Sequence, residues 1–366
     1  MDPRITNLAN ILVNYSLEIK HGDWVILWGD MDGLPLITEI QRQVLKAGGH
    51  LETAFRSDAL IEDVLKYGSE EQIRWTPPGL AGAVDRADAA ITIRAPSNTR
   101  QLAKIDPAKQ AFRAEAIGAI SRKIIERQRA GSLRWTTTNF PCHALAQEAD
   151  MSLREYEDFV YHATHADDPD PIRYWENVHK EHLRLLEWLK GKERLEVRGP
   201  HVDLSFSVKG RKFLDASGKL NMPDGEIYTS PVEDSVDGRI RYSFPAIHDG
   251  RQVDGIELQF EQGRVVQATA SKNEAYLNQL LDMDEGARYL GEFAIGTNNN
   301  IQQYTGSTLY DEKIGGTIHL AVGFGFEEAG SKNHSSLHWD MVTDMRADSE
   351  ILVDGELFYK NGEFQV

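Results

Sequence analysis

The hydrophobic pattern of the chain changes near its middle, and this change constrains the fold more than any other feature. Before residue 167, apolar runs with strand character alternate with amphipathic helical segments, which predicts a largely parallel sheet with helices on both faces. After residue 192, short β-rich runs are separated by Gly, Asp or Pro, which is typical of mostly antiparallel strands. We therefore predict an α/β N-terminal domain over residues 1–190 and an α+β C-terminal domain over residues 191–366.

Periodicity places the individual elements. The predicted helices of the first half and of the region between the domains span residues 4–17, 35–47, 58–75, 108–129, 143–165 and 172–190. The predicted strands of the first half are Trp24–Trp28, Leu51–Arg56, Ala89–Arg94 and Arg134–Thr138. In the second half, one helix is predicted over residues 273–287, and the longer predicted strands are Val202–Val208, Gln252–Phe260, Tyr289–Ile295, Gly316–Val322 and Ile351–Tyr359.

Composition excludes several classes of partner. The formal net charge of −17 leaves no basic excess to neutralise phosphates, so nucleic acid is not an expected partner. No apolar run reaches the roughly 18 residues that a membrane span needs, and the N-terminus lacks the layout of a signal peptide. The single cysteine, Cys142, cannot form an internal disulfide, which fits a reducing compartment. We expect a cytoplasmic protein without a membrane partner.

Potential metal ligands are concentrated between residues 319 and 340. His338 and Asp340 form an H-x-D pair, and on a strand residues i and i+2 project from the same face. His319 lies in an apolar, β-prone run that ends at Gly323, so its imidazole faces either a packed core or an ion. These three residues alone would fit a zinc site or a mononuclear iron site.

Three glutamates upstream of His319 extend this set. Glu226 lies at a Pro/Gly-rich turn that enters a strand, and Glu292 lies within an apolar strand where an ionised carboxylate needs a partner or a metal. Glu312 precedes His319 closely enough to reach the same site across a turn, although a solvated glutamate beside Lys313 is an equally good reading. Carboxylates and imidazoles together suit two ions that share a bridging carboxylate.

Five segments then carry a resemblance to a known family. They are Pro223–Pro231, Gly291–Asn298, Leu309–Lys313, Gly316–Gly323 and Ser336–Met341, and together with Leu12–Leu17 and Gly22–Val25 they resemble the M29 metallo-aminopeptidases of the aminopeptidase T type. The resemblance implies a C-terminal catalytic domain, a homodimer, and peptide substrates with a free N-terminus. It also implies two divalent ions, Zn, Co or Mn, with the ligands Glu226, Glu292, His319, His338 and Asp340.

The resemblance also implies a mechanism in which two metals activate a water that attacks the first peptide bond. Glu292 is the expected bridge, and Glu312 or Glu292 is the expected proton acceptor, with Glu312 as ligand or general base. Two residues depart from the family pattern. Phe326 stands where a tyrosine is common, unless Tyr310 or Tyr228 supplies the phenol, and His334 stands where an arginine is common. These departures concern rate and substrate preference rather than ligation.

Two other functions compete with hydrolysis. His319, His338 and Asp340 could form a two-histidine, one-carboxylate Fe(II) site of a ring-opening dioxygenase, a class that resembles these aminopeptidases in fold. The presence of Glu226 and Glu292 favours two metals and hydrolysis over this alternative. A catalytically silent binding protein is the third possibility, which Phe326 makes conceivable and which the complete ligand set disfavours.

Overall fold

The computed structural model describes residues 2–366 and divides the chain into two compact units. The first consists of Met1–Tyr174 with Gly218–Pro223, and the second of Trp175–Ser217 with Asp224–Val366. This partition differs from the division predicted between residues 190 and 191 in two segments. The helix predicted over residues 172–190 groups mostly with the second unit, and Gly218–Pro223 return to the first, where Asn221–Met222 join its sheet.

The α-helices are α1 (Pro3–Asn10), α2 (Leu34–Lys46), α3 (Asp58–Tyr67), α4 (Glu70–Ile73), α5 (Pro78–Arg86), α6 (Pro107–Arg129), α7 (His143–Glu148), α8 (Leu153–Ala163), α9 (Pro171–Leu189), α10 (Glu274–Leu281) and α11 (Thr308–Asp311). A π-helical segment, Ile11–Ser16, continues α1, and 3₁₀ turns occur at Met31–Gly33 and Glu327–Ala329. Among residues 2–366, no helix is both long enough and apolar enough to cross a membrane.

The strands of the first unit are β1 (Trp24–Asp30), β2 (His50–Arg56), β3 (Ala89–Arg94), β4 (Arg134–Asn139) and β8 (Asn221–Met222). They form a five-stranded parallel sheet in the order β2-β1-β3-β4-β8. Ile26 and Ala90 of this sheet pack with Val84 of α5 and Ile120 of α6. Strands of a parallel sheet with helices on both faces are apolar along their whole length. This explains the continuous run of apolar residues from which β1 was predicted.

The strands of the second unit are β5 (Arg194–Gly199), β6 (Val202–Ser207), β7 (Leu214–Ala216), β9 (Glu226–Thr229), β10 (Asp237–Arg241), β11 (Ala246–His248), β12 (Arg251–Val253), β13 (Glu257–Glu261), β14 (Arg264–Thr269), β15 (Leu290–Gly296), β16 (Thr317–Gly323), β17 (His338–Asp344), β18 (Glu350–Val353), β19 (Glu356–Lys360) and β20 (Glu363–Phe364). An eight-stranded antiparallel sheet has the order β14-β13-β10-β6-β5-β18-β19-β20, and β11 and β12 form a hairpin. A five-stranded antiparallel sheet, the site sheet, has the order β17-β16-β15-β9-β7. The predicted α/β domain followed by a mostly antiparallel domain is therefore confirmed.

Several predicted elements are divided in the structure. The strand predicted over Ile351–Tyr359 is the hairpin of β18 and β19, because Asp354 and Gly355 both adopt positive φ, as a two-residue type I′ turn requires. Likewise, Gln252–Phe260 separates into β12 and β13 around Gly255, whose φ is +63°. The helix predicted over residues 143–165 is broken into α7 and α8, where Ser152 and Glu155 form a capping box.

Candidate metal centre

The two faces of the site sheet have opposite characters. On β16, the apolar side chains of Ile318, Leu320 and Val322 belong to the hydrophobic core of the second unit. Successive side chains of a strand point to opposite faces, so His319 and Ala321 lie on the other face. The same alternation holds on β9, β15 and β17, whose core residues are Ile227, Phe293, Ile295, Trp339 and Met341. The face turned away from this core is called the site face below.

The predicted ligands from four adjacent strands converge on the site face. His319 Nε2 lies 3.2 Å from Glu226 Oε2 and 3.8 Å from Glu292 Oε1. His338 Nε2 lies 3.3 Å from Glu292 Oε2 and 3.6 Å from Asp340 Oδ2. The two oxygens of Glu292 are thus directed at different imidazoles, and this carboxylate occupies the centre of the cluster.

Small residues leave room for this cluster on the sheet. Ala294 of β15 is paired with His319 of β16, and Ala321 of β16 is paired with Asp340 of β17. Both alanines are fully buried. A larger side chain at either position would occupy the volume into which the neighbouring imidazole or carboxylate extends. The local sequence therefore alternates core side chains with predicted ligands and small residues.

Glu312 reaches the cluster from the segment that follows α11. The main chain of this segment crosses close to β15, where Asn298 N donates to Lys313 O at 3.0 Å. The close approach requires glycine at position 296, because a Cβ there would lie 2.2 Å from Ile314 O and 3.1 Å from Glu312 O. Gly296 thus permits the approach of Glu312 to the site face.

We expect Gly296→Ala to weaken metal binding and to lower the thermal stability. The added methyl group must displace the Ile314 carbonyl and with it the backbone of Glu312, and overpacking of this kind costs about 1–3 kcal/mol. Metal retained after dialysis and the melting temperature are the measurements. Gly82→Ala is the matched control, because a Cβ at Gly82 meets no atom within 4 Å. A Gly296→Ala protein that matched the wild type in both quantities would contradict this role.

Lys313 is a charged member of the site that sequence reasoning missed. Its side chain is 1% exposed, and its ammonium donates to Glu226 Oε1 and lies 3.0 Å from Glu312 Oε2 and 3.9 Å from Asp224 Oδ1. The alternative of a solvated Glu312 beside a solvated lysine does not hold, because both side chains are largely buried. A buried ammonium among carboxylates offsets part of their mutual repulsion, which holds Glu226 and Glu312 in place.

The backbone orients both imidazoles. His319 Nδ1 lies 3.1 Å from the carbonyl oxygen of Glu312, and His338 Nδ1 lies 2.9 Å from that of Phe324. A carbonyl can only accept, so each Nδ1 carries a proton and donates it. Each Nε2 is then directed toward the carboxylates, the arrangement found around metal-ligating histidines.

The residues present fit divalent metal ions. Three groups have ligand atoms within 4.8 Å of one another: Glu226, Glu292 and His319; Glu292, His338 and Asp340; and Glu312, His319 and Asp340. Glu226 Oε2 and Asp340 Oδ1 are buried oxygens that accept no hydrogen bond from residues 2–366. Buried carboxylate oxygens without donors are costly, and a cation satisfies them. Oxygen and imidazole donors together suit Zn²⁺, Co²⁺ or Mn²⁺.

The metal-free cluster holds protons where ions would bind. Burial opposes the charged form of His319, but the Glu226 and Glu292 carboxylates outweigh burial and raise its pKa to about 9. Burial likewise opposes protonation of His338, and Asp340 and Glu292 raise its pKa to about 10. Burial would raise the pKa of Glu292, but hydrogen bonds from both histidines lower it to about 2. Glu292 therefore stays ionised between two imidazolium groups.

We expect metal affinity to rise with pH. Below pH 9, an ion must displace the protons of His319 and His338, so protons compete with metal. Each proton released strengthens apparent binding by about tenfold per pH unit, until the pH passes the pKa values near 9 and 10. Calorimetric titration of the metal-free protein with Zn²⁺, in buffers of different ionisation enthalpy, counts the protons released. Affinity that did not change between pH 6 and pH 9 would contradict the ligation of these histidines.

Comparison with known proteins identifies the family. The family described as "Thermophilic metalloprotease (M29)" matches residues 1–364 of this chain. The chain belongs to the M29 metalloprotease family. Among curated M29 relatives, Aminopeptidase T of Thermus thermophilus is 27% identical, covering 88% of this chain and 85% of that protein. Aminopeptidase AmpS of Bacillus subtilis is 25% identical, and the match covers 99% of this chain and 98% of that protein.

A solved structure supports the same fold. Wild-type AmpT from Thermus thermophilus superposes with a TM-score of 0.88 over 99% of each chain, at 24% sequence identity. The predicted resemblance to M29 is thus confirmed, and with it the class of metal-dependent hydrolase acting on peptide bonds. The ring-opening dioxygenase alternative finds no support. Within residues 2–366, no group of potential ligands combines both His319 and His338 with Asp340.

The two departures from the family pattern have different surroundings. His334 is exposed, and its Nδ1 lies 3.7 Å from Glu327 Oε1. The ring of Phe326 lies 5.4 Å from that of His338 and meets the ring of Tyr228 edge-on at 5.1 Å. Tyr228 stands on the site face, since its neighbours Ile227 and Thr229 point the other way. A phenol is therefore present beside the position where Phe326 lacks one.

Proposed function

We propose that this M29 protein is a metal-dependent aminopeptidase that releases N-terminal residues from peptides and uses two divalent ions. The observation that carries the proposal is the position of Glu292. Its two oxygens face separate groups of ligands, one completed by Glu226 and His319 and the other by His338 and Asp340. A carboxylate shared between two such groups supports a dinuclear centre with Glu292 as bridge.

The ligand assignment follows from these groups. One ion would be held by Glu226, Glu292 and His319, and the other by Glu292, His338 and Asp340. Zn²⁺, Co²⁺ and Mn²⁺ all suit this donor set, and their binding would supply a water of lowered pKa and a polarised scissile carbonyl. The remaining chemistry belongs to the protein, which must bind the substrate, exclude water and move protons.

Glu312 is the proposed general base. Burial would raise the pKa of Glu312, but Lys313 and His319 lower it, so the carboxylate is ionised and able to accept a proton. Glu312 takes a proton from the attacking water as the carbon–oxygen bond forms, and returns it to the leaving amine as the carbon–nitrogen bond breaks. Glu292 is committed to its bridging position, so Glu312 is the better placed of the two expected proton acceptors.

Tyr228 is the proposed replacement for the phenol that Phe326 lacks. Burial raises the pKa of Tyr228, and the Glu292 and Glu226 carboxylates raise it further, so the hydroxyl keeps its proton at neutral pH. A neutral phenol beside the ligand cluster can donate a hydrogen bond to a developing oxyanion. Tyr310 is fully buried and lies in α11 rather than on the site face, which makes it the weaker candidate.

A free α-amino group explains why cleavage stops at the first residue. Asp311, which has no other assigned role, lines the same recess as Glu312 and Asp340, and its carboxylate is the proposed partner of an ammonium group at the end of the peptide. A peptide whose N-terminus is acetylated carries no such charge. The acidic lining therefore selects the end of a chain over an internal peptide bond.

The proposal is tested by comparing a free with a blocked N-terminus. We expect the metal-loaded protein to cleave leucine p-nitroanilide and to release residues one at a time from a short peptide. The same peptide with an acetylated N-terminus should be cleaved at least about a hundredfold more slowly, because the lost charge pair is part of binding and orientation. Chromatography of the products over time is the measurement. Internal cleavage of the acetylated peptide at a similar rate would overturn the exopeptidase assignment.

Two further expectations belong to this proposal. A homodimer follows from the resemblance to the family, and gel filtration with light scattering tests it. A cytoplasmic location rests on the single cysteine, Cys142, which is buried and free. Burial raises the pKa of the Cys142 thiol, which keeps this residue in its unreactive form.

A further inference from the structure

A buried histidine lies behind the metal centre, on the core side of the site sheet. His182 belongs to α9, and its side chain is 2% exposed. Three residues later in the same helix, Leu185 packs into the hydrophobic core of the second unit. Residues three apart share one face of a helix, so His182 is directed toward the core side of the sheet and not toward the predicted ligands.

His182 joins the two segments that flank β9. Its Nδ1 lies 2.6 Å from Asp215 Oδ1 on β7, and its Nε2 lies 2.9 Å from Thr297 Oγ1, directly after β15. Asp215 is paired with Ile227, whose side chain belongs to the core, so Asp215 and Glu226 lie on opposite faces of the sheet. One imidazole thus connects β7 with the end of β15 behind the strand that carries Glu226.

The turn that precedes Glu226 is held by the same two segments. Gly225 N donates to Ala216 O at 3.1 Å, and Thr297 N donates to Gly225 O at 2.8 Å. Ala216 follows Asp215 on β7, so both hydrogen bonds of the Gly225 backbone are made with residues that His182 holds directly or through one neighbour. The spacing that His182 sets between the two segments therefore fixes the backbone that enters Glu226.

The bridge carries charge as well as hydrogen bonds. Burial would raise the pKa of Asp215, but His182 and Ser217 lower it, so the carboxylate stays ionised. Its Oδ2 accepts a hydrogen bond from Ser217 Oγ at 2.8 Å and lies 2.6 Å from His179 Nδ1. An ionised carboxylate accepts stronger hydrogen bonds than a neutral group does, which makes the link between His182 and Asp215 a firm one.

We infer that His182 is a positioning residue that holds Glu226 in place for metal binding, from the face of the sheet opposite the site. The inference rests on the proposed function with its dinuclear centre. Of the two ligand groups that share Glu292, only the one completed by His319 contains Glu226. Loss of the bridge should therefore weaken the binding of one ion and leave the other unchanged, whereas a general loss of stability would affect both.

The test measures the affinity for each Zn²⁺ ion in variants of the Thr297 hydroxyl. Thr297→Val replaces the hydroxyl with a methyl group and breaks the contact with His182, so the affinity for one ion should fall by about tenfold. Thr297→Ser keeps the hydroxyl and should keep both affinities at the wild-type values. Titration in competition with a fluorescent zinc chelator gives the two affinities, and circular dichroism checks the fold.

Two variants of α9 extend the comparison. In His182→Asn the amide can donate to Asp215 from the position of Nδ1 but is too short to reach Thr297, so we again expect a loss of about tenfold at one ion. His179→Ala is the matched control. The side chain of His179 is 42% exposed and meets Asp215 outside the bridge to Thr297, so both affinities should stay at the wild-type values.

Two results would overturn the inference. One is wild-type affinity for both ions in Thr297→Val and His182→Asn, and the other is an equal loss at both ions in these variants. If the wild type bound two ions but hydrolysed no peptide, the proposed aminopeptidase function would fail, while the two affinities would still decide the role of His182.

Discussion

Glu292→Gln should abolish aminopeptidase activity and remove most of the bound metal. The amide is nearly isosteric but neutral, so it cannot offer each of two ions a charged oxygen. Loss of several kcal/mol of charge stabilisation corresponds to a fall of at least about a thousandfold in kcat/KM. The rate on aminoacyl p-nitroanilides and the metal content per chain, measured on the same preparation, are the two quantities needed.

The interpretation of this variant depends on an intact fold. Glu257→Gln is the matched control, because Glu257 lies on β13 of the same unit with its side chain exposed. It should keep wild-type activity and metal content, and circular dichroism should show the same secondary structure for both variants. Full activity of Glu292→Gln would refute the dinuclear model.

Glu312→Gln should separate a proton acceptor from a ligand. If Glu312 is the general base, kcat should fall by about a hundredfold to ten-thousandfold, while both ions remain bound. Retention of metal is expected because Glu226, Glu292, His319, His338 and Asp340 still complete both ligand groups. Single-turnover kinetics measure the rate of the hydrolytic step, and metal analysis at the same pH counts the ions that remain bound.

Two outcomes would contradict the assignment of Glu312. Loss of one ion per chain would make Glu312 a ligand, in line with its place beside His319 and Asp340. An unchanged kcat would show that another group is the general base. Glu285→Gln, at an exposed position in the same unit, controls for the loss of one negative charge.

The ligand set could be predicted because strand periodicity applies to each ligand separately. His338 and Asp340, two residues apart, had to share one face of a strand, and the structure places them so on β17. Glu292 and His319 each interrupt an apolar run, which marks a polar side chain opposite a core face. The convergence of four strands on one cluster depends on strand order, which periodicity does not specify; the resemblance to M29 supplied that step. Their assignment as ligands stays a prediction.

The burial of Lys313 and the presence of the recess could not be predicted from the sequence, because both depend on tertiary packing. A lysine after two acidic residues usually belongs to a solvated turn, and only the close crossing at Gly296 buries this one. The recess joins Ala246, Tyr304 and Val342 from three distant segments, none of which carries a recognisable motif. Local pattern predicts which face a side chain takes, but tertiary packing decides what lies opposite it.

The number and position of the bound ions test the central claim most directly. Crystals grown with Zn²⁺ and measured at the zinc absorption edge would give anomalous peaks at each ion. We expect two peaks per chain, one at Glu226, Glu292 and His319 and one at Glu292, His338 and Asp340, with Glu292 contacting both ions. A single ion held by His319, His338 and Asp340, with Glu226 and Glu292 uninvolved, would contradict it.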